Sequence, residues 1–178
     1  MKAFKTIHAF LLFSLLVTGF CLTACNNTED GSYVAPITLS EKINGKWVLN
    51  SIKQVDEIAA KNIDLSGQLN FMSFNIDLQA DAENIPTTFS VTGNAPALLP
   101  ASGNWEMEHS FTNSNGTPAR IFLYNGTDKS QKAAVLTVTA TPGTNRVLEF
   151  KLTRKQGGKA FVSYIYNLVP VTANSKED

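Results

Sequence analysis

The sequence predicts an all-β domain, and three observations carry that reading. Apolar and polar residues alternate with period two in about eight separate segments, the pattern of strands with one buried and one wetted face. Turn sequences fall between them at hairpin spacing: Asn113-Ser114-Asn115-Gly116, Asn125-Gly126-Thr127-Asp128, Pro142-Gly143-Thr144-Asn145 and Gln156-Gly157-Gly158. Stretches with helical spacing are brief. About eight antiparallel strands suit a closed barrel or a sandwich, and closure removes the free edges that a long β-chain must otherwise protect.

Taken in order, the domain starts at Thr38. Thr38 to Asn44 reads as one helical turn, with Thr38 as N-cap and Glu41 three residues on, the spacing of a capping box. Gly45 ends it. The first strand, Lys46 to Gln54, sets Trp47, Leu49 and Ser51 on one face against Val48, Asn50 and Ile52 on the other. Val55 to Gln68 has little pattern and is expected to hold a brief helix at Glu57 to Lys61. Leu69 to Leu78 then places Met72, Phe74, Ile76 and Leu78 on one side and Phe71, Ser73, Asn75 and Asp77 on the other. Thr88 to Thr92 turns Phe89 and Val91 inward, and Trp105, Met107, His109 and Phe111 share the apolar face of the next strand. Arg120 to Tyr124, Ala133 to Thr141, Arg146 to Thr153 and Lys159 to Leu168 complete the series. Their expected inner sets include Leu136, Val138 and Ala140; Leu148, Phe150 and Leu152; and Val162, Tyr164, Tyr166 and Leu168.

Ahead of the domain, Lys2 and Lys5 precede an apolar run from Ile7 to Cys21, and Leu22-Thr23-Ala24 then meets Cys25. This reads as a secretory leader whose cleavage leaves Cys25 first, its thiol carrying a diacylglycerol as in a bacterial lipobox. The domain boundaries that follow are residues 1–24 for the leader, 25–37 for a polar tether, 38–170 for the barrel and 171–178 for a polar tail. Cys21 and Cys25 are the two cysteines of the chain, so the mature domain has no internal disulfide. Two or more acyl chains, at about 0.8 kcal/mol per buried methylene, hold a protein at a membrane surface without any spanning helix. With 13 basic and 15 acidic residues after the leader, the net charge of −2 offers no basic stripe for a nucleic acid.

Gly45-Lys46-Trp47-Val48-Leu49, after a one-turn helix and at the head of the first strand, resembles the Gly-x-Trp signature of lipocalins. In that family the glycine admits a tight turn into the strand, and the tryptophan closes one end of the barrel, often beneath an arginine from near the chain's end. The resemblance implies a single antiparallel calycin-type barrel with Gly45 and Trp47 in structural roles and Arg154 as the stacked cation, a contact of ~0.5–2 kcal/mol. With the lipobox, the chain is similar to lipocalin-like lipoproteins of Bacteroidetes-type bacteria. In those proteins an acidic patch at the position of Glu29 and Asp30 resembles a signal for surface display; two acidic residues also simply keep a linker soluble. The Pro-rich connection from Ala95 to Pro100 has no counterpart in the family pattern. The implied location is the outer membrane, facing either the outside or the periplasm.

Chemistry of a catalytic kind finds little to build on. The mature chain has a single histidine, His109, and no thiol beyond Cys25. A metal site needs three or four converging ligands, so no metal and no cofactor are expected. Asp77, Glu106 and Glu108 occupy polar strand faces, where they serve solubility better than paired-carboxylate hydrolysis. The expected function is therefore binding. Trp105, Met107, His109, Phe111, Tyr164 and Tyr166 are the candidate wall of an interior site for a small apolar or amphipathic ligand. The alternative is a solid barrel that binds an envelope protein or glycan with its outside, through an exposed patch near Leu98, Leu99 or Tyr124.

Overall fold

A computed structural model describes residues 34–94, Pro96 and residues 99–171. The leader, Cys25, the tether through Tyr33, Leu98 and the tail from Thr172 lie outside the described residues.

Among the described residues, a short helix forms where the sequence caps it. Thr38 Oγ1 accepts the Glu41 N–H at 3.2 Å, and α1 runs Leu39–Ile43 with Leu39 and Ile43 buried. Asn44 returns its N–H to Ser40 O, and Gly45, at φ +126°, opens the first strand. Nine strands follow among the described residues: β1 (Gly45–Asp56), β2 (Lys61–Asp64), β3 (Asn75–Ala80), β4 (Pro86–Thr92), β5 (Ser102–Met107), β6 (Arg120–Asn125), β7 (Lys132–Ala140), β8 (Leu148–Gln156) and β9 (Lys159–Pro170). All pair antiparallel. From β3 each strand bonds to the next, and β9 returns to β1, so β1 and β3–β9 close an eight-stranded barrel. The ninth strand, β2, is an addition: β1 pairs with β3 over Gly45–Val48 and with β2 over Lys53–Asp56.

Three local readings of the sequence are corrected here. The regular alternation expected of β1 breaks at Asn50, where the register jumps from Leu49↔Leu168 to Ser51↔Asn167. One extra residue reverses the faces, so Trp47, Leu49 and Ile52 are buried together and Ser51 is not. The expected helix at Glu57 to Lys61 is instead a turn leading into β2, held by Asp56 Oδ1, which accepts the N–H groups of Ile58 and Ala59 at 2.9 Å. The strand expected from Leu69 starts only at Asn75. Asn70 is left-handed at φ +54° and Phe71–Ser73 form a 3-10 turn, whose spacing of three buries Phe71 with Phe74 and leaves Met72 48 % exposed.

This same segment fits between β2 and β3 on the edge of β1. Leu65 N–H donates to Ile52 O, Ile52 N–H to Ser66 Oγ, and Leu49 N–H to Phe74 O. Gly93 lies against it so closely, at φ +76°, that a Cβ there would stand 2.0 Å from Ser73 O. Inside the barrel, Phe74, Ile76, Leu78, Trp105, Ile121, Leu123, Leu136, Leu148, Phe150, Tyr166 and Leu168 are fully buried. Tyr166 sits at their centre, its ring 5.2 Å from that of Phe74 and 5.0 Å from that of Phe150. Trp47 helps close the α1 end, donating its indole N–H to Ile43 O at 2.7 Å.

Candidate functional site

The outer wall formed by β5 to β8 is where charge and shape collect. In β6 the alternation of inward and outward residues is intact, yet both faces are buried: Ile121 and Leu123 point into the core, while Phe122 and Tyr124 point out and are covered. Long cationic side chains supply the cover over Phe122. Lys132 Nζ stands 3.7 Å from its ring centroid and Arg120 Cζ 5.5 Å. The Tyr124 hydroxyl donates to Glu106, and burial together with that carboxylate pushes the phenol up to about 12. Glu108 accepts from Arg120 Nε at 2.8 Å and from its Nη2 as well. This two-pronged bond holds the Glu108 carboxyl below its ordinary range and raises Arg120 in turn.

Beyond Lys132 the wall opens. The β7–β8 ladder ends at Leu136↔Leu152, although β6 still pairs with β7 as far as Lys132 and β9 still pairs with β8 as far as Gln156. Beyond that last rung, residues 132–134 and 154–156 face each other as two strand edges with no register between them. Between them lies a furrow of about 490 Å³ whose lining includes Arg120, Lys132, Val135, Thr153, Arg154 and Lys155. Ala134 and Leu152, both buried, form its floor. Among the described residues, four cations line it and no carboxylate does. Continued in register, the ladder would set Arg154 against Ala134 and Lys132 against Gln156.

The residues expected to line an interior site separate into two groups. Trp105 is fully buried with its Nε1–H donated to Gln79 O at 2.7 Å, Tyr166 is fully buried, and Met107 and Tyr164 pack against the core. His109 and Phe111 are corrected: β5 stops at Met107, and the following loop puts both outside, with His109 on the rim of a small hollow beside Glu108 and Arg120. Arg154 is corrected too. It lies over Phe161, 5.8 Å from the ring centroid, in register with Val162, which pairs with Asp56; Trp47 pairs with Pro170, about 25 Å of strand away. Of the residues named for an outer patch, Tyr124 is buried, Leu99 packs against the core and Leu98 lies outside the described residues. Among the described residues, no three His, Cys, Asp or Glu side chains converge as ligands of a metal ion.

Sequence reasoning missed the furrow. Its cations are scattered over three strands, at 120, 132 and 154–155, and only the register brings them together. The one available signal was the adjacent pair Arg154-Lys155 at the end of an otherwise alternating strand.

Fold and site together define a lipocalin-like β-barrel whose axis is occupied by its own side chains and whose chemistry lies on the outer wall. The chain belongs to the family described as a domain of unknown function, DUF5004, whose model matches residues 23–169. No curated protein and no solved structure matches it.

Proposed function

We propose that this protein is a non-catalytic interaction module of a bacterial cell envelope, held to a membrane by lipid on Cys25 and binding an anionic partner with the outside of its barrel. The observation that carries this reading is the cationic furrow between β7 and β8, open to solvent and, among the described residues, free of carboxylates. The reading of the chain as a lipoprotein of Bacteroidetes-type bacteria, at the outer membrane, rests on the leader and on Leu22-Thr23-Ala24-Cys25. The family match takes in Cys25 and the tether as well as the barrel, in keeping with one functional unit. Catalysis is not part of the proposal. Its nearest candidates are Glu108, locked to Arg120, and His109, exposed beside it.

A second reading, a small apolar or amphipathic ligand inside the barrel, is favoured by one observation. The Tyr166 hydroxyl is buried without a hydrogen-bond partner, which is the kind of vacancy a ligand's polar group answers. Native mass spectrometry of the protein purified from its host separates the two. The outer-wall reading expects a bare polypeptide mass apart from the lipid on Cys25; a stoichiometric small molecule that leaves on denaturation overturns it in favour of the interior site. Lipidation is read separately, as release of a Cys25→Ser variant from the membrane fraction.

A further inference from the structure

We propose that the furrow between β7 and β8 receives an extended acidic peptide segment of a partner protein by strand addition. The proposal rests on the outer-wall reading above and names the partner's chemistry. Two independent observations support it. The first is backbone: beyond the last β7–β8 rung, residues 132–134 and 154–156 have a partner strand in register on one side only, so backbone groups on their other side turn toward the furrow. An extended peptide carries donors and acceptors at the matching period, whereas a polysaccharide does not. The second is charge: Lys132, Arg154 and Lys155 line the furrow beside Arg120, whose charge Glu108 already meets, and among the described residues no carboxylate lines it.

The floor sets the expected pattern. A strand lying in the furrow turns every second side chain down onto Ala134 and Leu152 and the others up among the cations. Ala134 is small and leaves room for one branched residue. The fitting sequence thus alternates acidic with small or branched apolar residues. Arg120 is already bonded to Glu108, and Lys132 and Arg154 are stacked on Phe122 and Phe161, so these three enter the complex with part of their side-chain freedom already lost.

The test uses the full chain in a neutral detergent and a short fluorescent peptide of alternating Glu and Val. Two comparison probes complete it: the same peptide N-methylated at alternate residues, and sulfated dextran. The proposal expects saturable binding, weakened about tenfold or more by N-methylation, because main-chain hydrogen bonds give strand addition its affinity. It also expects slower amide exchange within 132–134 or 154–156 on adding the peptide. Replacing Arg154→Gln with Lys155→Gln should weaken binding, and Arg154→Glu with Lys155→Glu should weaken it further, by about tenfold in all. The milder pair keeps the test valid if the charge reversal impairs folding. Equal binding of the N-methylated peptide, or preference for sulfated dextran, overturns strand addition in favour of a polyanion surface. No binding by any probe overturns it as well, and leaves the lysines as guards against edge-to-edge association. A small molecule found inside the barrel would instead defeat the outer-wall reading, a different outcome in a different measurement.

Discussion

Two seams of the same barrel, β8 with β9 and β7 with β8, share a strand and behave differently. The first is bonded from Leu148↔Leu168 to Gln156↔Lys159, the whole length of β8. The second is bonded only from Ala140↔Glu149 to Leu136↔Leu152 and then parts. At the zipped seam the outward pairs suit each other: Thr153 and Ser163 hydroxyls share a 2.8 Å hydrogen bond, and Asn167 donates to Glu149 at 3.0 Å. Lys151, on the same outer face, pairs with Glu57 at 2.6 Å. At the parted seam, Lys132, Arg154 and Lys155 line the furrow, and among the described residues no carboxylate does. The zipped seam thus carries matched polar pairs on its outside, and the parted seam carries unmatched cations. The parted seam can persist because β6 and β9 still hold the two strands from their far sides.

Amide exchange should reveal the contrast most strongly. Ladder amides of β9 against β1 and β8 are expected to exchange at rates near the global unfolding limit. Those of residues 132–134 and 154–156 that point into the furrow should be faster by about two orders of magnitude or more. Uniform protection around the barrel would contradict the parted seam. Next in size, Phe150→Ala removes a fully buried ring stacked on Tyr166 and should lower unfolding free energy by about 3–5 kcal/mol in urea titration. The pair Lys132→Ala and Val135→Ala, on the parted seam, should cost far less.

Tyr166→Phe should act in the opposite direction. Burial raises the Tyr166 phenol and leaves its hydroxyl unpartnered, so deleting that oxygen is expected to stabilise the domain by about 1 kcal/mol. A loss of stability would mean that the hydroxyl has a partner, such as water or a ligand. The smallest effect is with pH. Glu57 and Glu108 are both lowered, chiefly by hydrogen bonds from Lys151 and Arg120 respectively. Unfolded, each takes up its proton near the ordinary value of about 4.3. Their contribution is therefore present above that pH and is lost as pH falls through their lower folded values. Denaturation midpoints should fall on going from pH 6 to pH 3, and Glu57→Gln should flatten the part belonging to the zipped seam.

How much of this was written legibly in the sequence depends on whether a feature is local. The α1 cap at Thr38 and the Gln156-Gly157-Gly158 hairpin use short-range chemistry, and both could be read directly. So could the inner faces of β7 and β8, because alternation runs unbroken through Leu136, Val138, Leu148, Phe150 and Leu152. The bulge at Asn50 could not, since alternation carries no mark of where one residue has been added. Met72 was assigned to the wrong face because a left-handed Asn70 and a 3-10 turn changed the period from two to three. His109 and Phe111 continued the alternation of Trp105 and Met107 in sequence, but the strand had already ended. The furrow was least legible of all, being a failure of pairing between strands and not a property of either one.

The strand that opens the barrel is also the one that shuts it. Because β1 bonds along most of its length to β9, Trp47 waits for Pro170 and Val48 for Val169. The consecutive strands β3 to β8 can pair as they appear, but the closing seam cannot form before β9 is made. Such long-range closure is slow compared with forming a single hairpin. Until β9 is in place the wall is an open sheet with two free edges, and the last strand turns it into a ring.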